Sequence, residues 1–267
     1  MHEIKIMKKI LSISILSLSL FSLLITSCKK KSDNGSTAMG TVYIHLHTNI
    51  DTSEVDDKTQ LYHDGNGRQF SLSTAQFYIS NFRLNSANGT VVTIGDARIL
   101  KSIDSEQYLV GNAPIGTYTS VAFDVGLPDA TNAMMPTAFN TTGYIANSTM
   151  WYGNTTQGYM FMKIQGMADT TAAQTGTNLV PFSYEIGSVA NRKTISTGSR
   201  GTGSFSSYPV YTLLNGGVIY VHLICDYGKL LSSVNFKTQD STDSYTTHPT
   251  LANAIANNIP NMFHYEE

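Results

Sequence analysis

From Thr41 onward the chain alternates apolar and polar residues with a period of two. The pattern is clearest in "TVYIHLH" (41–47), "AQFYISNFRL" (75–84), "GTYTSVAFDVG" (116–126), "GYMFMKIQG" (158–166), "VPFSYEIG" (180–187) and "GVIYVHLICDYG" (217–228). Turn-forming clusters separate these runs: "HDGNG" (63–67), "NSANG" (85–89), "GLPDATN" (126–132) and "STGSRGTGS" (196–204). Alternation bounded by Gly, Asn and Asp predicts strands and turns, and "NSANGT" predicts a hairpin connection. Many Thr, Ser and Tyr with few charges suit strands that keep one face wet. The expected fold is all-β, an antiparallel β-sandwich formed as one domain over 39–267. One helix is expected at the end. In "THPTLANAIANNIPNMF" the residues Leu251, Ile255 and Ile259 make an apolar stripe, Pro249 suits the first helical position, Thr247 or His248 would cap it, and Pro260 would stop it.

The N-terminus has a different pattern. Lys5, Lys8 and Lys9 precede a charge-free run, Leu11 to Ile25, too short and too rich in serine for a membrane span but suited to a secretory signal. Ile25-Thr26-Ser27-Cys28 matches a bacterial lipobox, so residues 1–27 read as a lipoprotein signal peptide and Cys28 as the lipidated first residue. Acyl chains on Cys28 would hold the protein to a membrane, and residues 28–38 read as a flexible tether. Lys29 in place of aspartate favours the outer membrane. Removing residues 1–27 takes three Lys and one Glu from 17 basic and 19 acidic residues, leaving 14 and 18, a net charge of −4. That balance argues against a nucleic-acid partner. With Cys28 lipidated, Cys225 has no cysteine to pair with.

Candidate chemistry centres on histidine. In the first strand Val42, Ile44 and Leu46 share one face, so Thr41, Tyr43, His45 and His47 share the other. Two imidazoles at i and i+2 can approach a common ion, and neutral imidazole suits Cu, Zn, Fe or Ni; two solvent-facing histidines are the plainer alternative. His248, at a helix start, is kept neutral by the helix dipole and can ligate or simply occupy the turn. His222, inside an apolar strand, reads as a hydrogen-bonded histidine rather than a ligand. "HDGNG" lacks the ligand ladder of a calcium loop, and His264 sits near the terminus. Met160 and Met162 share a face with Ile164 and read as core. No G-x-S-x-G, H-E-x-x-H or P-loop is present in the sequence, so the protein is not expected to be an enzyme.

Several segments, in order, resemble the MbnP-like family, named after the periplasmic protein of methanobactin operons. They are "YHDGNGRQFSLSTAQFYISNFRL" (62–84), "PIGTYTSVAFDVGLPDATN" (114–132), "MWYGNTTQGYMFMKIQG" (150–166), "FSYEIG" (182–187) and "HPTLANAIANNIPNMF" (248–263). The resemblance implies a secreted β-sandwich that binds copper through histidines. It also implies a partner, because some members are handled by a di-haem, peroxidase-like enzyme that oxidises a tryptophan to kynurenine near the metal. Carried onto this chain, the metal ligands are His45, His47 and His248, with Trp151 and Glu185 nearby. Glu185 stands where the family has histidine, a harder ligand. The function expected is a lipid-anchored envelope protein that binds copper for acquisition, buffering or transfer. The alternative is a non-metal surface module for a glycan or envelope protein, using some of the 15 tyrosines as contact area.

The anchor has a direct test. Replacing Cys28 with Ser is expected to move the protein from the membrane fraction to the soluble envelope fraction; unchanged fractionation would refute the lipid assignment.

Overall fold

Alternation in the sequence becomes alternation in burial. Along β1 (Met39–Ile50) every second residue from Gly40 is buried, and Val42, Ile44 and Leu46 are wholly excluded from solvent. The computed structural model describes residues 37–266 except 96–97, 140–144, 146–147 and 199–208. The signal peptide, Cys28 and the tether through residue 36 lie outside the described residues, as does most of the 196–204 turn.

The remaining strands follow in chain order: β2 (Ser53–Glu54), β3 (Tyr62–His63), β4 (Gln69–Ser86), β5 (Val91–Thr93), β6 (Ile99–Lys101), β7 (Gln107–Pro114), β8 (Gly116–Val125), β9 (Met160–Asp169), β10 (Leu179–Gly187), β11 (Lys193–Ser196), β12 (Tyr211–Leu213), β13 (Val218–Asp226), β14 (Ser241–Asp243) and β15 (Phe263–Tyr265). The helices are α1 (Asp129–Asn132), α2 (Tyr227–Leu230) and α3 (Pro249–Met262). All six alternating runs coincide with strands. The hairpin at 85–90 forms as expected, joining β4 to β5 with Gly89 in the left-handed region at φ 85°.

Two sheets make the sandwich. The first runs β15-β13-β1-β2, with β7 also on β1; the second runs β11-β8-β4-β9-β10-β14, with β12 on β8 and β3, β5 and β6 on β4. Most pairs are antiparallel, but β1·β13 and β10·β14 are parallel, a departure from the wholly antiparallel expectation. Val42, Ile44, Leu46, Val221 and Leu223 of the first sheet share one core with Phe77, Ile79, Val121, Phe123, Met162 and Ile164 of the second. Burying each such aliphatic side chain contributes about 1.5–3 kcal/mol, so this face alone commits β1 to one orientation. No helix among the described residues is long and apolar enough to cross a membrane.

Helix α3 packs Leu251, Ile255 and Ile259 into the same core, as its periodicity requires. It starts where expected, with Pro249 first in the helix, but its end differs from expectation. His248 occupies the N-cap in a left-handed conformation, φ 50°, and no side chain caps the helix. Pro260 lies inside the helix, which continues to Met262 before the chain turns extended as β15. A proline this close to the end removes only a terminal hydrogen bond, and burial of Met262 and Phe263 holds the last turn in place.

Two consequences are testable. Cys225 on β13 is wholly buried, and burial pushes its thiol up to about 12. Thiolate is the reactive species, so a thiol reagent is expected to label native protein negligibly and denatured protein fully. Rapid labelling of the native form would contradict this packing. Asp243, at the end of β14, accepts hydrogen bonds from the backbone N–H groups of Tyr245, Thr246 and Thr247 and from the Thr246 hydroxyl. Partial burial works to raise its carboxyl, but these hydrogen bonds prevail and lower it from the ordinary 3.8 to about 2. A depressed folded value contributes stability above about pH 4 that is lost as the pH falls towards 2. Asp243→Ala is therefore expected to lower Tm at neutral pH, with the gap from the unaltered protein closing near pH 2.

Candidate metal centre

The outer face of the first sheet carries the histidines. Strand alternation that buries Ile44 and Leu46 turns His45 and His47 outward. On β13 Ile219, Val221, Leu223 and Cys225 alternate into the core, which puts His222 outward with Val218 and Tyr220. The parallel register then places His45 directly opposite His222. The His45 ring lies 4.4 Å from that of His47 and 4.9 Å from that of His222, centroid to centroid.

Three other segments bring carboxylates to this cluster. Glu54 ends the short β2, which pairs with the end of β1. Glu106 immediately precedes β7, and its carbonyl extends the ladder by accepting from Leu46 N–H at 2.9 Å. Glu266 follows β15, which pairs with β13 through Leu223 and Tyr265.

Four atoms converge. His45 Nδ1 is 3.1 Å from His222 Nδ1, His222 Nδ1 is 3.4 Å from Glu266 Oε2, and His47 Nε2 is 3.5 Å from the same oxygen. Ligand atoms of all four residues lie within 4.8 Å of one another. An ion bound tetrahedrally at about 2.0–2.1 Å from N and O ligands needs ligand–ligand edges of about 3.3–3.4 Å. The three separations of 3.1, 3.4 and 3.5 Å bracket that value.

The far sides of two rings are held by carboxylates. His47 Nδ1 is 2.9 Å from Glu54 Oε1 and 3.2 Å from Glu106 Oε1, while His45 Nε2 is 3.2 Å from Glu106 Oε2. N–H donation to these oxygens leaves His47 Nε2 and His45 Nδ1 with lone pairs facing the cluster, which is how metal-binding histidines are oriented. His47 Nε2 is buried and makes no hydrogen bond. A buried nitrogen without a partner costs free energy unless something else satisfies it. Burial works to lower the His47 pKa, but the Glu54 hydrogen bond and the charges of Glu106, Glu266 and Glu54 raise it above 6.5.

The other candidate site residues, His248, Trp151 and Glu185, lie outside the first sheet. His248 Nδ1 lies 3.1 Å from the carbonyl of Ser241 on β14, and His248 is outside both histidine–carboxylate groups found among the described residues. A single site of His45, His47 and His248 therefore does not form: α3 begins beside β14, whereas β1 runs in the opposite sheet. Trp151 bridges to Tyr159, with ring centroids 4.7 Å apart, in a small separate apolar cluster. Glu185 lies on β10 with its carboxylate 3.5 Å from Lys163 Nζ, an ion pair that works against a cation there. Neither joins the histidine cluster. His63 is exposed at the end of β3, and His264 on β15 pairs with Ile224 on β13.

His222 and the three glutamates were not singled out as ligands from the sequence. For His222 a signal existed, since it has the parity of Val218 and Tyr220 and opposite parity to the apolar Val221 and Leu223. For Glu54, Glu106 and Glu266 no local signal existed.

The MbnP family model matches residues 39–248. Among solved structures, that of MbnP from Methylosinus trichosporium is similar, with a TM-score of 0.53 and 15% identity, covering 78% of this chain and 82% of that one. At that identity the likeness concerns the fold. A comparison with curated proteins finds no match. Glu266 lies beyond the matched residues.

Proposed function

Because the chain belongs to the MbnP family, we propose that it is a metal-binding protein of the bacterial envelope, tethered through lipid on Cys28. It takes up copper on the outer face of the first sheet and acquires, buffers or hands on the ion without turnover. The observation that carries this reading is the buried His47 Nε2, which makes no hydrogen bond and lies in one cluster with His222, His45 and Glu266 while Glu54 holds the other ring nitrogen. Imidazole and carboxylate together suit a first-row transition ion, and copper is the one that the family resemblance implies. His45, His47, His222 and Glu266 would hold it, and Glu106 would orient two of the rings. The resemblance extends to oxidation of Trp151 by a di-haem partner, but the ring packs on Tyr159, outside the histidine cluster. Binding at the histidine cluster accordingly needs no modification of Trp151.

A non-metal surface module has one observation in its favour. Tyr43 and Tyr220 stack at 5.3 Å on the same outer face, beside exposed Leu109 and Val218, offering amphipathic contact area.

One titration separates the two. Copper(II) added to untagged Cys28→Ser protein is expected to bind one equivalent tightly. Removing one outer hydrogen-bond partner of a ligand typically costs 10–100-fold in affinity, so Glu106→Gln is expected to weaken binding by about that factor, and His47→Ala and His222→Ala by more. His248→Ala is expected to leave binding unchanged. Equal binding by the unaltered protein, His47→Ala and His222→Ala would discard this site, and no binding by any of them would favour the surface module.

A further inference from the structure

We infer that the histidine cluster is built for a divalent ion and discriminates against copper(I), with Glu266 as the ligand that sets the preference. The inference rests on the metal-binding reading above and adds the oxidation state to it.

Charge is the first ground. Glu54, Glu106 and Glu266 surround the three imidazoles, and their ion pairs in this cluster are all with those rings. When an ion replaces the protons on the ligating nitrogens, the imidazoles are neutral and the carboxylates leave a formal charge of −3. A divalent ion offsets two of these charges and a monovalent ion only one. The three carboxylates are partly exposed, which screens this difference without removing it.

Donor chemistry is the second. Copper(I) is selected by thiolate and thioether sulfur, whereas imidazole nitrogen and carboxylate oxygen suit harder, divalent ions. The thiol on β13 is not available as a donor, because Cys225 alternates with Ile224 and is wholly buried in the core. Glu266 Oε2 lies 3.4 Å from His222 Nδ1 and 3.5 Å from His47 Nε2, where it completes a four-atom set. With three of its separations near the edge of a tetrahedron, the set suits zinc(II); copper(II), which binds N and O donors more tightly but prefers a flatter arrangement, requires a small shift of the exposed Glu266.

Position is the third. Glu266 stands one residue beyond β15, so its carboxylate reaches the cluster only while β15 is paired with β13. Glu266 thus supplies the one anionic ligand to three neutral ones.

The test uses untagged Cys28→Ser protein with a free C-terminus, because appended histidines would compete. Affinities for copper(II), zinc(II) and, anaerobically against a copper(I) chelator, copper(I) are measured for that protein and for Glu266→Gln and His47→Ala in the same background. Unaltered protein is expected to bind each divalent ion at one equivalent and copper(I) at least about 10-fold more weakly than copper(II). Glu266→Gln keeps size and shape but removes the charge, and is expected to weaken the divalent ions by about 10-fold or more with little effect on copper(I). The copper(II) spectrum is expected to keep its nitrogen couplings in Glu266→Gln and to lose part of them in His47→Ala. Copper(I) binding as tight as copper(II), or a Glu266→Gln loss equal for all three ions, would overturn the inference while leaving the metal site standing. Failure of all three ions to bind, with His47→Ala indistinguishable from the unaltered protein, would overturn both.

Discussion

The parallel pairing of β1 with β13 is the contact on which the candidate site depends. Nine consecutive residue pairs, from Thr41↔Val218 to Asn49↔Asp226, put like parities side by side, so both strands bury the same face. Val42, Ile44 and Leu46 therefore enter the core together with Ile219, Val221 and Leu223, and His45 meets His222 on the opposite side. A slip of one residue would drive histidines into an apolar core and expose aliphatics. The burial that makes the sandwich stable is thus the same constraint that gathers the imidazoles.

That face is electrostatically demanding. Three carboxylates converge within one small cluster and repel one another, and the imidazoles beside them offset part of that repulsion. Glu106 has a central place because its two oxygens reach different rings, His47 through Oε1 and His45 through Oε2. A bridging carboxylate of this kind limits the rotation of both rings and keeps one nitrogen of each turned inward. Beneath the sheet, Lys101 is wholly buried, with its Nζ hydrogen-bonded to Thr48 Oγ1 and the Ser102 carbonyl; burial lowers its pKa. The β1 strand is therefore held by polar groups on both of its faces near the site.

Membership of the MbnP family does not by itself locate the ligands. Where the family resemblance implies a histidine, this chain has Glu185, and Lys163 opposite it on β9 forms an ion pair. Trp151 is packed edge-on against Tyr159, and Tyr152 donates to the carbonyl of Glu185 at 2.9 Å. That region is knitted together by its own aromatic and hydrogen-bond contacts. Histidines and carboxylates are concentrated on the other sheet, with one candidate ligand, Glu266, from beyond the family match.

What the sequence by itself determined was local. A period of two assigns faces within a strand whatever that strand pairs with, so six of the strands, the 85–90 hairpin and the shared outward face of His45 and His47 were legible, as was the stripe of α3; β7 and the short strands were not. The end of α3 was misread because the breaking effect of Pro260 depends on which hydrogen bond it removes and what packs beyond it. What only the tertiary structure decided was which segments meet. His45 and His222 lie 177 residues apart in sequence, His45 and Glu106 61 apart, and neither strand pattern names the other as its neighbour. His248 is the converse case: its position at a helix start was readable, but the pairing of β14 with β10 sets that start beside the second sheet. Side-chain direction is a property of a few consecutive residues, whereas strand order is settled by how two whole apolar faces pack, and a multi-segment ligand set inherits that non-local origin.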